Sequence, residues 1–221
     1  MTRFRKLFSI HSATACARQL ALGDFLGEHT WQLNLRAGTV DFGKGRIYPI
    51  QLIGSESDVY GTWLWGWANQ QSKLPPRILK SVKLVRKYGR RNKISELTEP
   101  VHQLSLVDGH TLAMISVGIV GNCCYYRGPR EGGATFFLVM DLPERIFEPD
   151  TPQRLLTVMN QVLAQLTVHH RTMIENFLRS QRFAIRQTDT TLTAKRADGF
   201  LIKASFDKQG RMKKFNSALS R

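Results

Sequence analysis

Cysteine is scarce: Cys16, Cys123 and Cys124 are the three in 221 residues. Three thiols cannot all pair, and adjacent cysteines close a disulfide only with strained geometry, so no disulfide framework is expected and a reducing, cytoplasmic setting fits. Acids are few as well, 17 Asp and Glu against 32 Lys and Arg, which excludes an acidic disordered tail and leaves a formal charge of +15. Long apolar runs are missing. The longest, Leu112 to Val120, contains Ser116 and Gly118 and falls far short of the roughly 20 residues of a membrane-spanning helix, so no membrane association is expected. The N-terminus is basic from Met1 to Lys6 and carries Ala13, Thr14, Ala15, Cys16, which loosely mimics a lipoprotein cleavage site. Leu7 to Ile10 is nevertheless too short for the roughly 7 to 15 apolar residues of a signal, so the segment is read as retained.

Chemical motifs are thin too. Glycines at Gly43 to Gly45 and Gly128 to Gly133 match neither the dinucleotide nor the P-loop spacing. His169 and His170 are adjacent, whereas two ligands on one helix face need i and i+4 spacing, and no second Cys or His cluster accompanies them. Glu28, Asp41, Glu56, Asp58 and Asp108 are too scattered to form a paired acid and base. No catalytic residue, metal or cofactor is therefore expected. An enzyme using Cys123 or Cys124, close to Arg127, is the weakest of three functional readings, because strand neighbours point oppositely and at least one thiol should be buried.

What is present suffices for a core. Hydrophobic residues make up 42%, the ordinary share for a globular chain once the 17 Gly are added. Ala13, Cys16, Ala17, Leu20 and Ala21 form one helical stripe, which predicts a helix over Ser12 to Glu28 ending near Gly23 or Gly27. The period then drops to two. Trp31 to Leu35, Thr39 to Phe42, Arg46 to Ile53 and Tyr60 to Trp67 read as four strands of an antiparallel meander. Pro75 and Pro76 start a helix expected to stop at Gly89, with Ile78, Val82, Leu84, Val85 and Tyr88 on its apolar side. A buried helix over Gly109 to Val120 and strands at Asn122 to Arg127 and Ala134 to Met140 follow.

Acids and prolines crowd Asp141 to Asp150, which places a boundary there and predicts domains at 1–142 and 150–221. Beyond it, Thr151 caps one long helix to about Gln181, and strands Phe183 to Thr188, Leu192 to Lys195 and Gly199 to Phe206, with an extra strand at Arg211 to Phe215, close the chain. The expected fold is α+β: an antiparallel sheet of about six strands covered by helices, then a long helix and a small C-terminal antiparallel β-meander.

The most distinctive stretch is Gly61, Thr62, Trp63, Leu64, Trp65, Gly66, Trp67, Ala68, Asn69, which holds three of the four tryptophans at i, i+2 and i+4. On a strand all three share a face, and an exposed row would be an apolar patch that monomers rarely carry, so Trp63, Trp65 and Trp67 are expected in the core. With Ile53 to Glu56 before it, this run resembles an uncharacterised family of bacterial proteins that share a Trp-x-Trp-x-Trp-Ala-Asn strand. The resemblance spans about Ser12 to Leu142, leaves Asp150 to Arg221 as an addition, and implies no activity and no catalytic residue. Families of this kind sometimes sit among toxin-immunity or phage-conflict genes.

Charge carries the remaining signal. Between Lys73 and Lys93 lie nine cations (Lys73, Arg77, Lys80, Lys83, Arg86, Lys87, Arg90, Arg91, Lys93) and no acid. A second cluster comprises Lys208, Arg211, Lys213, Lys214 and Arg221. Two readings follow. The first is a non-enzymatic binding module that engages an acidic protein partner through these surfaces, as an immunity or regulatory factor. The second is sequence-nonspecific nucleic-acid binding through Lys80, Lys83, Arg86, Lys87 and Arg90 together with the C-terminal cluster, although no helix-turn-helix, zinc-finger, RNA-recognition or KH signature is visible.

Overall fold

The computed structural model describes residues 1–219, so Arg221 of the second basic cluster lies outside the described residues. The fold is α+β, with two antiparallel sheets. The chain divides into two compact units, residues 18–147 and residues 1–17 with 148–219. Among the described residues no helix is long and apolar enough to cross a membrane.

The first helix, α1, runs Arg3–Leu26, and residues to Ala17 belong to one unit while those from Arg18 belong to the other. It starts nine residues before the expected Ser12. Arg3, Arg5 and Lys6 oppose the helix dipole, which hides the true start from a pattern reading. Buried Leu7, Phe8, Ala13, Ala15, Ala17, Leu22 and Leu26 do not fall on one stripe.

In residues 18–147 a seven-stranded sheet replaces the expected six. Its strands are β1 Gln32–Asn34, β2 Thr39–Asp41, β3 Ile47–Ser57, β4 Thr62–Trp65, β5 Val101–Gln103, β6 Cys124–Arg130 and β7 Gly133–Val139. The long strand β3 organises the sheet: β2 pairs with its residues 47–49, β4 with residues 54–57, and β7 with residues 50–57. Strand β3 thus runs on to Ser57, four residues past the Ile53 at which the sequence pattern ends it. The edge strand β5 was not expected, because three half-exposed residues carry no alternation. The glycine-rich stretch Gly128 to Gly133 is mostly strand, since β6 and β7 pair down to Arg130 opposite Gly133.

Two helices pack beside this sheet. Residues Pro76–Leu79 form a 3₁₀ turn that leads into α2, Lys80–Asn92. The helix does not stop at Gly89. That residue is buried, a Cβ on it would lie 2.6 Å from the Cβ of Leu97, and the chain reverses instead at Lys93 in the left-handed conformation. Glycine there serves close approach between helix and loop. Helix α3 spans Gly109–Val120 as the sequence predicted, its first turn capped by the Asp108 carboxylate, which accepts from the Thr111 amide at 2.8 Å.

In the other unit the expected single helix is two, α4 Pro152–Gln165 and α5 His170–Ser180. Leu166 is extended, the β-branched Thr167 and Val168 follow, and His169 caps the new helix. The His169 amide donates to the Ser9 hydroxyl at 2.9 Å, and Thr14 shares a hydrogen bond with Ser180 at 2.9 Å, which ties the first part of α1 into this core. The closing meander has four strands, β8 Ala184–Gln187, β9 Thr191–Lys195, β10 Phe200–Phe206 and β11 Met212–Leu219, in that spatial order. Leu192, Ala194, Ile202, Ala204 and Phe206 are buried on one of its faces. The expected extra strand is therefore real and longer than Arg211 to Phe215.

Candidate functional site

The tryptophan motif is only partly a row. Trp63 and Trp65 are fully buried and meet edge to face at 5.5 Å, with Trp63 also 5.3 Å from Phe136. The Trp65 indole donates to the Glu96 carbonyl at 3.2 Å. Gly54 makes room for them, since a Cβ there would enter the Trp63 ring. Trp67 departs from the expectation. Strand β4 ends at Trp65, so Trp67 sits half-buried in the following turn, and the Arg86 guanidinium lies over its ring at 3.6 Å. This cation–π stack takes Arg86 out of the free basic face. Burial and the neighbouring Arg90 hold its pKa below the ordinary arginine value.

The remaining motif residue, Asn69, accepts from the Ser72 amide at 3.1 Å and so shapes the loop after β4. That loop closes a cavity of about 370 Å³ lined by Leu35, Leu64, Asn69, Leu74, Arg130 and Thr135 among others. Its one cation is occupied with carbonyls: Arg130 donates to Glu56 O at 3.3 Å and to Glu131 O at 3.4 Å. Beside Trp63, the buried Glu56 carboxylate accepts from the Gly109 amide at 2.9 Å and lies 3.5 Å from the Arg127 guanidinium. This is an anchor for the start of α3, where the helix dipole favours an anion.

The cysteine reading finds no thiolate. Cys123 and Cys124 are both buried, and burial pushes each thiol up to about 12, so both are protonated at neutral pH and lack the form that attacks. His169 and His170 serve structure: His169 caps α5, and the Nδ1 of His170 accepts from the Met212 amide at 3.3 Å. Among the described residues no group of His, Cys, Asp and Glu is arranged to hold a metal ion.

The helix α2 carries the first basic surface. Val82, Val85 and Gly89 face the core, while Lys80, Lys83, Lys87, Arg90 and Arg91 are exposed on the far side. Leu84, expected among the buried residues, is 48% exposed. At 100° per residue it projects with Lys80, Lys87 and Arg91 on one flank and Ser81 and Tyr88 on the other, so an apolar side chain stands at the edge of the cationic stripe.

The residues of the second cluster sit in different settings. Arg211 is tied to Asp207 at 2.7 Å and to Gln209 at 2.6 Å. Lys213 is the extra residue of a bulge, because Phe206 pairs with Met212 and Ser205 with Lys214. Lys208 is exposed in the preceding turn, and Lys214 alone of the four points from the ladder to the face opposite the buried one. On that same face the register places Arg186, Lys195 and Lys203, which sequence reading did not group. The signal was alternation within each strand, but grouping across strands needs the register.

No curated protein and no solved structure matches this chain. Residues 5–142, well over half of the chain and including the tryptophan motif, match a family of unknown function (DUF6882), and the chain belongs to that family.

Proposed function

We propose that this chain is a non-enzymatic cytoplasmic binding module that engages an acidic segment of a partner protein through the exposed face of α2, in a regulatory or immunity role. One observation supports the reading above others: Leu84 stands exposed along the edge of the face that carries Lys80, Lys83, Lys87, Arg90 and Arg91, in a stretch without a single acid. Phosphates offer nothing to a leucine. An acidic amphipathic segment offers both an apolar side chain for Leu84 and carboxylates for the cations beside it, which steer the encounter and fix its register.

The test is affinity capture from native lysate treated with nuclease, comparing the unaltered chain with Leu84→Ser and with Lys83→Glu/Lys87→Glu. An acidic protein retained by the unaltered chain and lost by both variants supports the reading. Capture that vanishes with nuclease, or that Leu84→Ser leaves intact, defeats it.

A further inference from the structure

The C-terminal sheet has one face on its core and one face open. Strands β8 to β11 contain no acidic residue among the described positions, and each contributes one exposed cation to the open face: Arg186, Lys195, Lys203 and Lys214. The register fixes their arrangement. Arg186, Thr193, Lys203 and Asn216 form one cross-strand row, Lys195 stands beside Leu201 in the next row, and Lys214 stands opposite Ser205 in the row on the other side. With strands about 4.8 Å apart and alternate residues about 6.8 Å apart along a strand, neighbouring cations lie roughly 8 to 10 Å from one another at their Cα atoms. Among the described residues, no salt bridge occupies any of the four. Four of the six acids of this unit pair with arginines outside the face, Asp150 with Arg154, Glu175 with Arg179, Asp198 with Arg196 and Asp207 with Arg211, and Asp189 lies in the turn between β8 and β9.

From this face we infer a second binding site, for the phosphate backbone of a double-stranded nucleic acid. Two features select that occupant. Charge complementarity requires a polyanion with spaced charges, and most of the ground between the cations is Thr193, Ser205 and Asn216, short hydrogen-bonding side chains that suit phosphate oxygens, with Leu201 a half-buried apolar neighbour of Lys195. The outward positions also hold no aromatic ring, because Phe183, Phe200 and Phe206 are buried and Phe215 pairs with Ala204 on the core side. Unpaired bases would find nothing to stack on, which favours a duplex over a single strand. The site lies in other side chains and another unit than the face of α2, so each proposal stands or falls alone.

The test is fluorescence anisotropy of the full chain with short labelled duplexes of DNA and of RNA, the matching single strands, and polyglutamate, over a salt series. Four neutralised phosphates give a slope of log K against log salt of about −3.6, and the double variant Arg186→Gln/Lys203→Gln lowers it to about −1.8 with unchanged thermal unfolding. Lys195→Gln/Lys214→Gln is the independent second pair and should do the same. Lys83→Gln/Lys87→Gln on α2 should leave the slope as it is. The DNA and RNA arms tell which duplex is held. The inference is overturned if neither duplex binds, if both sheet variants bind like the unaltered chain, if the single strands bind as tightly as the duplexes, or if polyglutamate binds as tightly with the same loss in the variants.

Discussion

The two units hold equal numbers of cations and use them differently. Residues 18–147 carry 16 Lys and Arg against 11 Asp and Glu, whereas residues 1–17 with 148–221 carry 16 against 6 in a smaller body. In the larger unit nine of the sixteen fall between Lys73 and Lys93, so its basic character is concentrated on one helix and its approach, beside an exposed leucine. In the smaller unit several are spent on structure: Arg196 lies between Phe183 and Phe200 and pairs with Asp198, while the open sheet face gathers four others on polar ground. Net charge alone therefore does not name a partner. What surrounds the cations does.

The comparison can be broken experimentally, because all four tryptophans and all five tyrosines lie within residues 18–147. Tryptophan emission reports on that unit, and far-ultraviolet circular dichroism reports on both. The largest effect is expected for Trp63→Ala, which empties a fully buried site and should lower the stability read by the remaining tryptophans by about 3 to 5 kcal/mol. Gly89→Ala should follow at about 1 to 3 kcal/mol in the same signal, because the new methyl meets Leu97. Thr151→Ala removes the oxygen that accepts the Arg154 amide at the start of α4 and should cost about 1 kcal/mol in the dichroism while leaving the emission transition in place.

The smallest effect is a pH dependence. Burial first, and then the neighbouring His169, hold the His170 pKa below the ordinary histidine value, and the Met212 amide needs its Nδ1 unprotonated. The folded state favours the neutral ring, so the stability it contributes is complete above the ordinary histidine pKa and is lost as pH falls from there toward the lower folded value. Unfolding followed by dichroism should weaken over that window, and His170→Asn should flatten the dependence.

Much of the fold was legible, and the failures share physical causes. Helix α3 has the bounds its apolar run predicts, and the structure adds the Asp108 cap that starts it and Gly121 that ends it. The break between α4 and α5 was invisible because Leu155, Met159 and Val162 keep nearly the phase of Met173 and Phe177 across it, so spacing alone continues the helix. Trp67 was placed in a row that ends at Trp65, since strand termination depends on the partner strand β5 and leaves no mark in an alternating pattern. Leu84 was counted as core because a helical wheel shows an apolar residue and not what covers it. Of the candidate site residues, those on α2 could be found from one helix. Those on the open sheet face depend on three registers, which no single segment reveals.

The continuity of α1 also sets an order of events during synthesis. Ser9 and Thr14 find their partners His169 and Ser180 across separations of 160 and 166 residues, so Leu7, Phe8 and Ala13 are synthesised well before the residues they pack with. At 5 to 20 residues per second that interval is roughly 8 to 30 s. Residues 18–147 can close around their own contacts meanwhile. Leu7, Phe8 and Ala13 thus stay without their partners over that interval, which is when chaperone capture or aggregation would decide the yield.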